Sequence, residues 1–102
     1  MTDTVRENPA RQRYELPTGG ELAFIDYLLD GRNVLMTHAE VPPGLRGGGV
    51  GSALVKGALA LVRERGGKVV PLCSFVAQYM RRHPETRDLL AAPPGSDRPD
   101  PP

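Results

Sequence analysis

The sequence predicts an α+β fold: an antiparallel three-strand meander, then a strand–helix–strand–helix unit, forming one mixed sheet. Two observations predict it. Three strand-like apolar segments are separated only by short turns rich in glycine, proline or asparagine, and strands joined so closely pair antiparallel. After residue 50 the apolar residues recur with the period of a helix, and another short apolar strand follows.

The first half of the chain supplies the meander. Residues 1–10 are polar and are predicted to form a flexible N-terminus. Residues 11–16 alternate in polarity and predict the first strand, which the Pro-Thr-Gly-Gly turn at 17–20 ends. Residues 21–29 are rich in aromatic and aliphatic side chains and predict the second strand, and 30–33 form a hairpin connection.

Residues 34–41 predict the third strand of the meander. Strict alternation would place four of its side chains on one face of the sheet, namely Val34, Met36, His38 and Glu40. The other face would then carry Leu35, Thr37, Ala39 and Val41. On this reading His38 and Glu40 lie side by side, two residues apart.

The second half of the chain supplies the helices. An amphipathic helix of about four turns is predicted from Val50 to the Gly66-Gly67 pair, where glycine is typical of a helix end. Residues 68–73 predict a strand parallel to the third one, because the crossover through the helix is right-handed. Pro71 would leave one side of that strand unpaired or splayed.

A second helix is predicted from Ser74, its N-cap, to about His83, because Pro84 ends it. Its apolar residues are Phe75, Tyr79 and Met80. The last 12 residues contain five prolines and no large apolar residue, so 91–102 are predicted to be a disordered Pro-rich tail. Residues 11–90 would therefore be the folded domain.

Length, composition and net charge exclude several classes of function. The 102 residues allow one domain, and a net charge of +1 gives no electrostatic footprint for nucleic acid. One cysteine excludes an intrachain disulfide, and the N-terminus lacks the apolar stretch of a signal peptide. The longest apolar run is too short to span a membrane. We therefore expect a cytoplasmic protein with no nucleic-acid or membrane partner and no metal site.

The most informative segment is a glycine-rich loop between the third strand and the first helix. Five of the chain's 12 glycines lie between residues 44 and 51. Because such a loop lets main-chain N–H groups approach a ligand at the positive end of a helix, it predicts a phosphate site. The alternative is a glycine-rich strand-to-helix turn that binds no ligand. Neither the P-loop pattern nor G-x-G-x-x-G fits the loop, but Arg46-x-x-Gly49-x-Gly51 is present.

This pattern resembles the R/Q-x-x-G-x-G/A motif of the GNAT superfamily of N-acetyltransferases, in which the loop holds the pyrophosphate of acetyl-CoA. Three further segments, at 37–43, 69–75 and 81–85, resemble those of a family of very small GNAT-like acetyltransferases, so the likeness covers about residues 11–90. Ala39 departs from the family, where threonine is common, and Gly48 is a small substitution within the loop.

The resemblance implies acetyl-CoA (CoA) as the cofactor and the parallel strand pair as its site. The residues expected to bind it are Val41, Arg46, Gly47, Gly48, Gly49, Val50, Gly51 and Ser52. A main-chain N–H on a bulged third strand would polarise the thioester carbonyl. The chain lacks the two helices that a full GNAT domain has after its first strand, and it lacks that domain's two final strands. Those parts usually build the acceptor pocket.

Three residues are candidates for catalysis. Cys73 lies at the start of the second predicted helix, where the helix dipole favours a thiolate, and it could also be a small buried hydrophobic residue. The resemblance implies that it lies near the thioester, as an acyl acceptor or a pocket residue. Glu40 or His38 could take the proton from an attacking amine, or both could be solvated or structural residues.

The sequence thus favours an acetyl-CoA-dependent N-acetyltransferase. Its acceptor would be an amine of a small molecule, peptide or protein, and the chain would be a monomer or a weak homodimer. A second hypothesis is a CoA-binding module without turnover, which needs none of the three catalytic candidates. A third hypothesis is a small interaction domain, which only the tail and the Arg81-Arg82 pair support.

Overall fold

The computed structural model describes residues 4–91. Within these residues, five strands form one sheet, and two α-helices pack against it. The strands are β1 (Arg6–Asn8), β2 (Arg13–Thr18), β3 (Glu21–Asp30), β4 (Asn33–Glu40) and β5 (Lys68–Pro71). The α-helices are α1 (Val50–Glu64) and α2 (Ser74–Arg82). Short 3₁₀ helices occur at Pro9–Arg11, Pro43–Leu45 and Pro84–Leu89.

The strands lie in the order β1-β2-β3-β4-β5. The first four are antiparallel neighbours, and β4 and β5 are parallel. This confirms the predicted α+β fold with one mixed sheet, a meander and a parallel pair. The predicted first helix is confirmed as α1, which ends just before Gly66, a residue with the left-handed φ of 73° that suits glycine at a helix end.

The N-terminal segment is more ordered than the sequence suggests. The prediction of a flexible segment over residues 1–10 is wrong for Arg6–Asn8, which form β1, while residues 1–3 lie outside the described part. Val5, just before β1, is buried against α1 at Gly57. A Cβ atom at Gly57 would lie only 2.4 Å from a methyl group of Val5, so glycine is what allows this contact.

We therefore expect the effect of Gly57→Ala on stability to reverse sign with the residue at position 5. In the wild type, overpacking against Val5 costs about 1–3 kcal/mol and outweighs the better helix propensity of alanine. In a Val5→Gly background the contact is gone, and the same change should stabilise the protein by about 1 kcal/mol. Urea unfolding of the four proteins measures both values, and equal effects in the two backgrounds would contradict the contact.

The first strand of the meander begins later than predicted. Residues 9–11 form a 3₁₀ turn and Gln12 adopts a left-handed φ of 52°, so β2 starts at Arg13 rather than at residue 11. The Asn8 side chain accepts a hydrogen bond from the Arg11 N–H and caps this turn. The turn reverses the chain from β1 into β2.

A β-bulge in β4 changes the predicted assignment of faces. Asp26 of β3 pairs with His38, but Tyr27 pairs with Met36, so Thr37 is the extra residue. The alternation therefore shifts at Thr37. Val34 and Met36 face the core, but His38 and Glu40 lie on the opposite face, so the prediction that these four residues share a face is wrong.

The two faces of the sheet differ in burial. Every buried apolar strand residue lies on the face toward the helices, here called the core face, and these residues are Tyr14, Leu16, Ala23, Ile25, Tyr27, Val34, Met36 and Val69. They form one cluster with the buried residues of both helices. The opposite face, here called the outer face, carries Phe24, His38 and Glu40 and contains no buried apolar residue within 4–91.

The start of α2 also differs from the prediction. The strand β5 ends at Pro71, not Cys73, because the Leu72 N–H turns back to the Val70 carbonyl at 3.0 Å. Cys73 is the N-cap and Ser74 is the first helical residue, so the prediction of Ser74 as the cap is wrong. The helix buries Val76 and Met80, whereas Phe75 is 41% exposed.

Pro71 lies in the last strand of the sheet, where its missing N–H is tolerated. Beyond β5, the Ala91 N–H donates to the Val69 carbonyl at 2.9 Å, and no other residue of the tail predicted over 91–102 lies within the described residues.

Among the helices of residues 4–91, none is long and apolar enough to cross a membrane. The same residues contain no cluster of three or more His, Cys, Asp or Glu side chains that could hold a metal ion.

Candidate functional site

A groove of about 470 Å³ lies where β4 ends and α1 begins. Its walls come from the end of β4, the glycine-rich loop, the first turn of α1 and the first turn of α2. The lining residues are Ala39, Val41, Arg46, Gly47, Gly49, Gly51, Ser52 and Phe75. It combines main-chain groups of glycines with one arginine and an apolar wall, which suits a ligand with both anionic and apolar parts.

The anionic end of the groove is built by the start of α1. Gly49 is the N-cap and offers no side-chain cap, and the first helical hydrogen bond runs from the Ala53 N–H to the Gly49 carbonyl at 3.0 Å. The N–H groups of Val50, Gly51 and Ser52 therefore have no partner within the helix. Together with the helix dipole they favour a phosphate group at this point.

The loop conformation requires glycine at two positions. Gly47 and Gly49 have φ angles of 84° and 81°, in the left-handed region that side chains disfavour. Both residues line the groove, whereas Gly48 between them has an ordinary φ and does not line it. The glycines thus shape the wall of the groove by their backbone conformation.

Arg46 closes the loop back onto the sheet. Its Nε donates a hydrogen bond to the Val41 carbonyl at 3.1 Å, although the side chain is exposed. Within the described residues, Arg46 forms no ion pair with a carboxylate. A positive charge held at the rim by a main-chain acceptor adds to the attraction for an anion.

The helices α1 and α2 meet across the groove at Gly51 and Phe75. A Cβ atom at Gly51 would lie 2.5 Å from the Phe75 ring, so only glycine allows the ring to lie against the first turn of α1. We expect Gly51→Val to displace the ring and to lower the affinity for CoA, the ligand that the sequence predicts here, about tenfold or more. Calorimetry on Gly51→Val, Phe75→Ala and the double variant tests this, and additive losses would contradict the contact.

A gap opens beside the groove between β4 and β5. The two strands pair only from Asn33–Lys68 to Met36–Pro71, and the Cys73 N–H, bonded to the Met36 carbonyl at 2.9 Å, is the last link. Beyond that point the chain turns into α2, whereas β4 continues to Glu40. The edge of β4 after the bulge at Thr37 therefore has no neighbouring strand within residues 4–91.

The main chain of Ala39 faces this gap. The Tyr27 N–H bonds the Gln12 carbonyl on the β2 side, so the polar main-chain groups of the preceding Asp26 face β4. His38 pairs with Asp26, so the main-chain N–H and C=O of His38 point toward β3. Ala39 is the next residue, and its N–H and C=O therefore point away from β3, into the gap. The gap thus offers main-chain hydrogen-bonding groups to an extended ligand.

The structure brings together most of the predicted cofactor residues. Six of the eight line the groove, and the other two, Gly48 and Val50, belong to the same loop and helix start. Sequence reasoning missed Ala39 and Phe75 as lining residues. The bulge changes the face on which the residues after Thr37 lie, so alternation alone does not indicate that Ala39 lines the groove. Phe75 has an ordinary apolar position in the predicted helix, and no sequence pattern indicates that its ring lies against Gly51.

The three catalytic candidates do not converge. Cys73 is half-buried against the core cluster, and its main chain borders the gap. His38 and Glu40 are exposed on the outer face, across the sheet from the groove side of Ala39. The His38 ring lies 6.3 Å from the Phe24 ring, centre to centre. Their catalytic roles stay predictions, and the geometry assigns Cys73 and the pair His38–Glu40 to different surroundings.

Comparison with known proteins gives two matches. A family model for GCN5-related N-acetyl-transferases matches residues 13–89. Among solved structures, the solution NMR structure of a GCN5-like protein from Staphylococcus aureus is similar with a TM-score of 0.63. The two sequences are 21% identical over 89% of this chain and 91% of the other, a likeness that supports the fold. No curated protein matches the chain.

Proposed function

The chain belongs to the GCN5-related N-acetyltransferase family, and on that basis we propose that it binds acetyl-CoA and transfers the acetyl group to an amine. The observation that carries the proposal is the start of α1. Uncapped N–H groups, two left-handed glycines and Arg46 surround one end of the groove, and a gap in the sheet adjoins it.

The diphosphate would lie against the N–H groups of the first turn of α1. Favourable anion–helix interactions of this kind contribute up to about 2 kcal/mol in partly buried geometry. Gly47 and Gly49 leave room for this approach because they carry no side chain. Arg46 would contribute charge from the rim, so its removal should matter less than a change in the loop backbone.

The pantetheine arm would lie along the gap. Its amides need partners when they leave water, and the N–H and C=O of Ala39 are directed there. Val41 and Phe75 supply apolar wall on the groove side. A ligand chain that continues the sheet in this way gains main-chain hydrogen bonds, as in other cases where an extended chain adds to a sheet edge.

Acetyl-CoA supplies an activated acetyl group as a thioester. The neutral amine nitrogen would attack the carbonyl carbon, forming an N–C bond while the C–S bond breaks. The ammonium form of the acceptor loses one proton before attack, and the attacking nitrogen loses a second as the amide forms. The CoA sulfur leaves with the bonding electrons and takes up one proton, so the charges and protons balance. Positioning of the two reactants would be the main contribution of the protein.

Thiol release from acetyl-CoA tests the transfer directly. With a panel of small amines, lysine peptides and polyamines, the proposal expects release above the uncatalysed rate for at least one acceptor. Binding of CoA without release for any acceptor would contradict transfer and favour a CoA-binding module. Mass spectrometry of the same reactions without acceptor shows whether an acetyl group accumulates on Cys73, the chain's one thiol.

A further inference from the structure

The outer face of the sheet carries an uncovered apolar stripe. Leu28 of β3, Leu35 of β4 and Val70 of β5 are in register with one another and lie side by side across three strands. Leu28 is 51% exposed, and Leu35 and Val70 are half-buried. Apolar side chains in this arrangement are typical of a docking surface rather than of scattered surface leucines.

The apolar stripe borders the gap between β4 and β5. Leu35 and Val70 come one residue before Met36 and Pro71, the last register pair of the two strands. Anything that docks on the stripe is therefore next to the opening in the sheet. The groove reaches this opening from the core face, and the stripe reaches it from the outer face.

A free carboxylate lies on the same face beside the gap. Glu40 is exposed and forms no ion pair or side-chain hydrogen bond within the described residues. Along β4 it lies about 15 Å from Leu35, a distance that four or five residues of extended chain can cover. Two other carboxylates on this face already have partners: Asp26 is paired with Arg13 at 3.3 Å, and Glu15 accepts a hydrogen bond from the Asn8 side chain at 3.1 Å. Glu40 thus offers an unpaired negative charge to a cation.

We propose that the apolar stripe docks a basic polypeptide acceptor, which presents a lysine or N-terminal amine at the gap beside Glu40. The inference rests on the acetyl transfer proposed above and names the class of acceptor. An apolar side chain of the acceptor lies on Leu28, Leu35 and Val70, and its cationic amine is attracted toward Glu40. Acceptor and acetyl-CoA then approach the thioester from opposite faces of the sheet.

Neighbouring leucines provide a matched pair of variants. Leu28 and Leu29 are adjacent and similarly exposed, at 51% and 46%, but Leu28 lies on the outer face and Leu29 on the opposite one. We expect Leu28→Ser to raise KM for lysine peptides about tenfold, because the apolar side chain of the acceptor loses its buried contact with the leucine. Leu29→Ser should leave it unchanged. Turnover of a small free amine should be the same in all three proteins.

The probe is a library of 13-residue peptides with a central lysine, incubated with acetyl-CoA and read by mass spectrometry. Enrichment of apolar residues near the acetylated lysine, lost in Leu28→Ser and kept in Leu29→Ser, is the expected result. A library acetylated without sequence preference would overturn the proposal. So would equal losses in both variants, or a loss in Leu28→Ser that extends to the small amine.

A second measurement separates this inference from the proposed function. Selected basic peptides are titrated into the labelled full chain, and amide shifts are followed by NMR. Shifts at Leu28, Leu35 and Val70 without any acetyl transfer would support docking while the transfer itself fails. Sedimentation measures the oligomeric state of the wild type and of Leu28→Ser. If the wild type is a dimer and Leu28→Ser is a monomer, the stripe binds a second copy of the chain, and the proposal is overturned.

Discussion

Gly49→Val is expected to weaken CoA binding about thirtyfold, while Gly66→Val leaves it unchanged. The two glycines lie at opposite ends of α1 with similar φ angles of 81° and 73°, and a Cβ at either would meet no atom within 4 Å. A β-branched residue at such an angle costs at least 1–2 kcal/mol at both positions. At Gly49, the backbone shift that relieves the strain would move the uncapped N–H groups, whose attraction for an anion contributes about 2 kcal/mol. At Gly66, the same shift would occur at the other end of the helix and leave those groups in place.

Calorimetric titration of the two variants and the wild type with CoA measures this difference. Urea unfolding of the same proteins shows that the stability losses are similar, so that Gly66→Val controls for a general weakening of α1. Gly48→Ala is a second control, because its Cβ would meet only an ordinary contact at 3.7 Å. Equal loss of affinity in Gly49→Val and Gly66→Val would contradict the assignment of the anion site.

The second large effect concerns alkaline pH. Tyr14 and Tyr27 lie on the core face with ring centres 4.9 Å apart, and both are almost fully buried. Burial, with the nearby Glu7 carboxylate as a second cause, raises the pKa of Tyr14 to about 12. Burial also raises the pKa of Tyr27, whose hydroxyl donates a hydrogen bond to Glu7. In the unfolded chain both phenols would ionise near their ordinary pKa of 10.0.

Both tyrosines therefore hold their protons more tightly in the folded state than in the unfolded state. The contribution of Tyr14 to stability is fully present below pH 10 and is lost as the pH rises toward 12, and that of Tyr27 also falls as the pH rises above 10. For Tyr14 alone, a rise in pKa from 10.0 to about 12 corresponds to about 3 kcal/mol of stability. Because a domain of this size has a free energy of unfolding of about 5–15 kcal/mol, we expect the loss at both sites to bring the protein close to unfolding.

Urea unfolding at pH 8 and pH 11.5 measures the loss, and phenolate absorbance reports the ionisation itself. Tyr14→Phe should lose clearly less stability over this interval than the wild type, because one of the two buried phenols is gone. Tyr79, whose pKa burial also raises, lies outside this pair and is stacked on His83 at 4.0 Å. An unchanged pH dependence in Tyr14→Phe would contradict the role given to burial.

Strong local signals made the helix α1 and the glycine loop predictable. The apolar period, Gly66 at the helix end and the cluster of glycines before Val50 all indicate the same boundaries, and the structure has α1 within them. Six of the predicted loop and strand residues line one groove for the same reason. These features depend on residues close in sequence, so a linear reading could find them.

Features that depend on distant contacts were not predictable in the same way. The strand β1 is only three residues long, and what orders the segment is Val5 against Gly57, 52 positions later. The resemblance implies a bulged third strand, but the alternation of β4 does not mark the position of the bulge at Thr37, which decides the face that His38 and Glu40 occupy. Phe75 has an ordinary helical position in the sequence, and only the fold brings it to Gly51.

A diphosphate is proposed to bind to main-chain N–H groups at the start of α1. Calorimetric titration of the wild type with CoA and acetyl-CoA, together with thermal unfolding, measures this binding. We expect saturable heat with one site per chain and a stabilisation of about 2.7 kcal/mol when ligand exceeds Kd a hundredfold. No heat and no rise in Tm at about 1 mM of either ligand would contradict it.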